Sequence, residues 1–185
     1  MIGGVVAWEP DRFDPADDTA FRRACAEFAT GVAAVTARAE DGELAALTAN
    51  SFTSVSLRPP LVLVCVGHGM SAHPILRRAR RLAIHVLGAE QPEVARRLAT
   101  SGLDGAGRLD GLEWSVDEHG TPVLRDCLAS IRGPIVDRLD AGDHEIVLVG
   151  AETVELGGGD PALLFHRGDF AVVDRREPAR ERSTR

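Results

Sequence analysis

From Val32 to Leu156 the chain runs as short apolar stretches broken by polar or glycine-rich punctuation. The stretches VAAVTA (32–37), LAALTANSFTSVSL (44–57), LVLVCV (61–66), LAIHVL (82–87), VLRDCLASIRGPIVDRL (123–139) and EIVLVGAETVEL (145–156) are separated by DG, PP, GHG and GD. Their β-branched content and turn-forming boundaries predict strands. An earlier segment has a longer period: in DTAFRRACAEFATG, residues Phe21, Ala24, Cys25 and Phe28 fall at i, i+3, i+4 and i+7. That spacing predicts an amphipathic helix with Asp18 as N-cap and Gly31 as stop. Two shorter helices are expected over about 74–80 and about 92–100, each with proline at a first helical position. The strands do not alternate with long helices, which disfavours a parallel doubly wound sheet. The pattern predicts a mainly β, α+β fold, an antiparallel barrel closed on itself with helices flanking it.

At 185 residues the chain is long enough for one domain that buries roughly 70% of its unfolded surface. The expected division is a loose leader over 1–17, a folded domain over 18–173 and a mobile charged tail over 174–185. A net charge of -7 leaves no general basic surface for nucleic acid, and no apolar run reaches membrane-spanning length. All 21 cationic residues are arginine. The pairs Arg77–Arg78, Arg80–Arg81 and Arg96–Arg97 read first as solvated helix faces and second as a site for a phosphorylated ligand. Cys25, Cys65 and Cys127 are odd in number, lack CxxC spacing and read as small core residues, which suits a reducing, cytoplasmic setting.

Three stretches could carry chemistry. In TANSFTSVSL the side chains are small and polar, so a flat heteroaromatic ring could approach the strand and meet hydroxyls and amides; a plain solvent-facing strand has the same composition. In GHGMSAHPILRRARR a helix starts near Ser71 and His73, where free amides favour an anion, or where those side chains simply cap the helix. In AGDHEIVLVG, Asp143 and His144 stand at a strand mouth and can act together only if the turn after Gly142 brings them to one rim; a surface turn is the simpler reading. The six histidines show no HxxxH or HExxH spacing, and GxSxG and a strand-linked GxGxxG are absent, so metal, nucleophilic and Rossmann-type chemistry lack local signals.

Taken in order and spacing, FATGVAAVTA, TANSFTSVSLRPPLVLVCV, LAIHVL, AGDHEIVLVG and PALLFHRGDF resemble the flavin reductase-like family over roughly residues 18–172. The resemblance implies an FMN-binding split β-barrel, usually a homodimer. It would use FAD or FMN with NADH, or with NADPH, and deliver reduced flavin to a separate monooxygenase. It implies flavin contacts from Thr48, Ala49, Asn50 and Ser51, from Ser54, Val55 and Ser56, and from His85. Ser71 and His73 would lie toward the ribityl phosphate, while Gly142, Asp143 and His144 would lie on the nicotinamide side near Gly31. His166 and Phe170 are further members. His144 and Asp143 are the catalytic pair it points to, the histidine orienting the nicotinamide and the aspartate fixing its tautomer. The chain departs from the family pattern at His85, where relatives carry asparagine, and at Leu109, where they carry an aromatic. Rival readings are a flavin-binding electron-transfer protein on the same barrel and a scaffold subunit with a vestigial pocket.

Overall fold

The computed structural model describes residues 15–158 and 161–173. The leader expected over 1–17 and the tail expected over 174–185 therefore fall almost wholly outside the described residues. In chain order the elements are α1 (Asp18–Ala26), β1 (Thr30–Gly31), β2 (Ala33–Ala39), β3 (Leu44–Ala49), β4 (Thr53–Leu57), β5 (Pro60–Gly67), α2 (His73–Arg78), β6 (Ala79–Val86), α3 (Pro92–Ala99) and α4 (Gly105–Leu109). They continue as β7 (Trp114–Val116), β8 (Pro122–Leu124), β9 (Ala129–Ala141), β10 (His144–Gly150), β11 (Thr153–Leu156), β12 (Leu163–His166) and β13 (Asp169–Val172).

Eight strands form one antiparallel sheet, with ladders in the order β3-β2-β6-β9-β10-β5-β4 and β11 paired to β9. β1, β12 and β13 form a second sheet, and β7 and β8 a hairpin. The fold is mainly antiparallel β with few helices, as expected, but the ladder path is open where the sequence predicts closure. Its two ends, β3 and β4, are consecutive in the chain. In the link between them Ser51 bonds to β5: the Cys65 N–H donates to Ser51 Oγ at 2.9 Å, and that hydroxyl donates to the Cys65 carbonyl at 3.1 Å.

Alternation explains the core. Val35, Leu47, Val64, Val66, Leu82, Ile84, Val147 and Val149 all point to one interior, which Leu76 of α2 also enters. The opposite face of β2 and β3 packs Val32, Ala34 and Ala46 against Ala95 and Leu98 of α3, Leu109 of α4 and Leu163 of β12. Leu109 is thus a core residue. α4 has no counterpart in the sequence reading, because five residues with two glycines carry no periodicity; its N-cap is Asp104, which accepts from the Gly107 N–H at 2.7 Å.

α1 forms where expected, one residue displaced at its cap: Asp17, not Asp18, accepts from the Ala20 N–H at 2.9 Å. It ends at Ala26, and Gly31 belongs to β1. Its apolar stripe is not buried, since Phe21 is 63% and Phe28 76% exposed. Cys25 is likewise exposed and Cys65 half-buried, which corrects the assignment of all three cysteines to the core. Cys127 is buried, and burial pushes its thiol up to about 11. The paired arginines face acids: Arg78 meets Asp41 and Glu43, Arg80 meets Glu40, Arg81 meets Glu152, and Arg96 meets Glu93. Among the described residues no helix is long and apolar enough to cross a membrane.

Candidate functional site

Two adjoining hollows open where β3 turns into β4. The first, about 440 Å³, is walled by Phe28, Thr30 and Gly31 on one side and by Asn50, Ser51, Phe52 and Thr53 on the other. The second, about 270 Å³, lies between Thr48, Ala95, Arg96, Phe165 and Phe170. Val32 and Asn50 line both. Phe165 and Phe170 meet edge to face at 5.8 Å, and the Arg96 guanidinium sits 5.1 Å from the Phe170 ring centre.

The predicted small-residue strand is present, but most of its hydroxyls are already engaged. Thr48 Oγ1 donates to the Ala95 carbonyl at 2.6 Å and so ties α3 to β3. Ser51 bridges to Cys65 as described, and Ser56 Oγ accepts from the Arg58 N–H at 3.2 Å. Ala49 faces the core, while Ser54 and Val55 are exposed on β4. Asn50 is exposed, without a side-chain partner among the described residues, and borders both hollows. Thr30 Oγ1, in the wall of the first hollow, is buried and has no hydrogen-bond partner among the described residues. Thr30, Phe52, Thr53 and Phe165 escaped the sequence reading as site residues; their one signal is adjacency to the stretches that carry it. Phe28 figures there only in the helix stripe, and Arg96, expected on a solvated face or at a phosphorylated ligand, lines the second hollow.

Ser71, His73 and His85 are among the expected residues that lie away from both hollows. Ser71 Oγ accepts from Arg108 Nη2 at 3.0 Å, and this buried guanidinium also donates to the carbonyls of Ala46 and Thr100. His73 is buried at the start of α2, its ring 4.9 Å from that of His68; burial holds its imidazole below the usual histidine range. Neither residue lines a hollow. His85 does not line one either. It is 0% exposed, on the face of β6 opposite Ile84, and its Nε2 lies 3.1 Å from Thr36 Oγ1. That hydroxyl donates its single proton to the Pro122 carbonyl at 2.5 Å, so His85 Nε2 carries the proton between them. Burial, with Arg132 nearby, lowers His85 to about 3. Its neighbour Val86 faces the first hollow, because successive strand residues point to opposite sides.

The β9–β10 hairpin sets the Asp143 and His144 side chains side by side, the condition on which they could act together. Gly142, at φ +63°, makes the turn in a region that favours glycine. Asp143 therefore stands outside the strand alternation, and its Oδ1 lies 2.6 Å from His144 Nδ1. This hydrogen bond, and then the charge of the imidazole, hold the Asp143 carboxyl below the usual range. His144 pairs with Gly67 across β5, two residues from Cys65, which Ser51 holds. The dyad is thus offset from the Ser51 wall by roughly 7 Å along the strand. His166 is half-buried on β12 beside Phe165.

The family described as flavin reductase like domain matches residues 25–174. The chain is 39% identical over 163 residues to an NADH:riboflavin 5'-phosphate oxidoreductase of Streptomyces pristinaespiralis, covering 86% of this chain and 90% of that one. It is 35% identical over 156 residues to the reductase component of a 4-nitrophenol 4-monooxygenase/4-nitrocatechol 2-monooxygenase of Rhodococcus opacus, covering 84% and 81%. Among solved structures, the NADH:FAD oxidoreductase of Streptomyces globisporus in complex with NAD and FAD fragments superposes with a TM-score of 0.81 at 35% identity, covering 89% of this chain and 98% of that one.

Proposed function

Since this chain belongs to the flavin reductase-like family, we propose that it is an NADH:flavin oxidoreductase that passes reduced FMN or FAD to a separate monooxygenase. The observation that carries the reading is the joining of an apolar-walled hollow to the Asp143–His144 dyad through Ser51, β5 and β10. The first hollow suits a flat heteroaromatic ring. Its volume lies in the range of cofactor sites, roughly 300–1,000 Å³. Thr30 Oγ1 and the Asn50 amide are uncommitted polar groups in or beside its wall, and at Gly31 a Cβ would meet nothing within 4 Å.

Flavin, when bound, supplies the hydride acceptor for reduced nicotinamide. The protein's part is positioning. Asn50 and the backbone of 50–53 offer donors and acceptors to a ring edge, while Phe28, Val32 and Phe52 give the hollow its apolar surface. Asp143, held as a carboxylate, accepts from His144 Nδ1–H and leaves Nε2 as the free nitrogen to orient the nicotinamide. No strong acid or base is required, which agrees with a site built from amides and aromatic walls.

Loss of the nicotinamide absorbance, followed with purified protein, NADH and added FMN or FAD, tests the activity. Oxidation no faster than the protein-free reaction with both flavins would overturn it. In the same assay His144→Ala should lower kcat/KM for NADH by about tenfold or more, the loss of about 1.4 kcal/mol. Unchanged kinetics would remove His144 from the reaction.

We read the open eight-stranded sheet as a split β-barrel and the working unit as a homodimer in the cytoplasm. β5 and β10 support the dimer, for both are apolar on two faces. Val62, Val64, Val147 and Val149 fill the core, whereas Leu61, Leu63, Ile146 and Leu148 face outward and half-buried. The helices α2, α3 and α4 pack against β2 and β3 instead. A strand apolar on both faces needs cover on both. Leu148→Arg should convert the dimer to a monomer in sedimentation velocity; an unchanged sedimentation coefficient would exclude this face.

A further inference from the structure

Asp143 and His144 stand in solvent at the tip of the β9–β10 hairpin, so packing does not hold their side chains. A cluster of charges on the other face of β10 holds the backbone beneath them. Glu145 points inward and is 1% exposed. Arg138, across the hairpin on β9, donates through Nη1 to Glu145 Oε2 at 2.8 Å. Its Nη2 donates to the carbonyls of Leu76 and Ala79, at the C-terminal end of α2, at 2.6 and 3.2 Å. Arg77 of α2 lies 3.6 Å from the second Glu145 oxygen, and His73 Nε2 lies 3.6 Å from the first. At the rim the His68 N–H donates to the Asp143 carbonyl at 2.9 Å, and the His68 ring meets Asp140 at 3.1 Å.

A buried ion pair gains little stability over an apolar pair of similar size, because desolvation offsets the attraction. Its distinctive property is geometry: one planar guanidinium joins three partners in fixed directions. Here those partners belong to β10, to α2 and to the first residue of β6, while the guanidinium itself belongs to β9. Neither Glu145 nor Arg138 lines either hollow, so neither touches a ligand there.

We propose that Glu145 and Arg138 are positioning residues for the nicotinamide step: they clamp the hairpin tip to α2 and so fix where His144 presents its free nitrogen. The proposal rests on the assignment of His144 to the nicotinamide side. It predicts a loss specific to one substrate, because the flavin-side wall at Asn50–Thr53 hangs from β3 and β4 and not from this clamp.

Glu145→Gln keeps the shape and removes the charge. Arg138→Lys keeps the charge and removes the fork. Both should raise KM for NADH by roughly tenfold while kcat and KM for FMN stay within about twofold of wild type. NADH binding, read without turnover from the fluorescence of the reduced nicotinamide, should weaken by the same factor. Wild-type NADH affinity in either folded variant overturns the clamp. So does an equal rise in both KM values, which would mean general loosening, or failure of both variants to fold, which would make the pair a fold element alone. If wild-type protein neither binds nor oxidises NADH, the flavin reductase reading fails and the proposal with it. Active wild type with unaffected variants sinks the clamp and spares that reading.

Discussion

Gly133→Ala lowers the thermal midpoint by about 6–12 °C, the expected consequence of losing about 3 kcal/mol in a domain of this size. Gly133 lies in β9, where the neighbouring edge passes from β10 to β11. A Cβ there would stand 1.8 Å from the Gly150 carbonyl oxygen and 3.1 Å from the Glu152 nitrogen. Both obstacles are backbone, so no rotamer change relieves the overlap. Two strands must separate, and with them the ladder on which β6, β10 and β11 all depend. Gly69→Ala is the control, since its Cβ would meet nothing within 4 Å. Calorimetry on both variants decides the matter; equal midpoints for Gly133→Ala and wild type would mean that the Gly150 backbone yields freely.

The second large effect is on acid stability. His85 titrates near 3 in the folded chain because it is buried beside Arg132, against an ordinary value of about 6.5 when unfolded. As pH falls below about 6.5 the unfolded chain takes up a proton that the folded chain refuses. Stability then drops by up to about 1.4 kcal/mol per pH unit, or about 2 kcal/mol between pH 6.5 and 5. The loss continues down to pH about 3, where the full shift corresponds to about 5 kcal/mol. His73, also held low by burial, acts in the same direction. His85→Asn can still donate to Thr36 Oγ1 and does not titrate. Denaturant unfolding at pH 7, 6, 5 and 4 should show a shallower decline in this variant, and identical slopes would clear His85 of the effect.

Much of the fold could be read from the chain because its signals are local. β2, β5, β6 and β10 coincide with alternating or doubly apolar runs, and α2 and α3 with proline-started helical stretches. α1 shows where that reading stops: its period predicted a helix correctly, but whether Phe21 and Phe28 are covered depends on what packs there. α4 left no signal, since its five residues hold by a cap and by Arg108 rather than by periodicity.

The site divides in the same way. Local order along the chain is enough to show that Gly142 permits a turn, that Asp143 and His144 are neighbours at a strand mouth, and that residues 48–56 form a stretch of small polar side chains. Each of these depends on residues within a few positions of one another. Long-range packing settles that Thr48, Ser51 and Ser71 are engaged by Ala95, Cys65 and Arg108, that His85 is sealed against Thr36, and that Phe165 and Phe170 line the second hollow. It also settles that Glu145 meets Arg138 and α2 beneath the hairpin. Hydroxyls and imidazoles take whatever partner the fold brings within 3 Å or so. Most of those partners lie tens of residues away in the chain, beyond the reach of any local pattern.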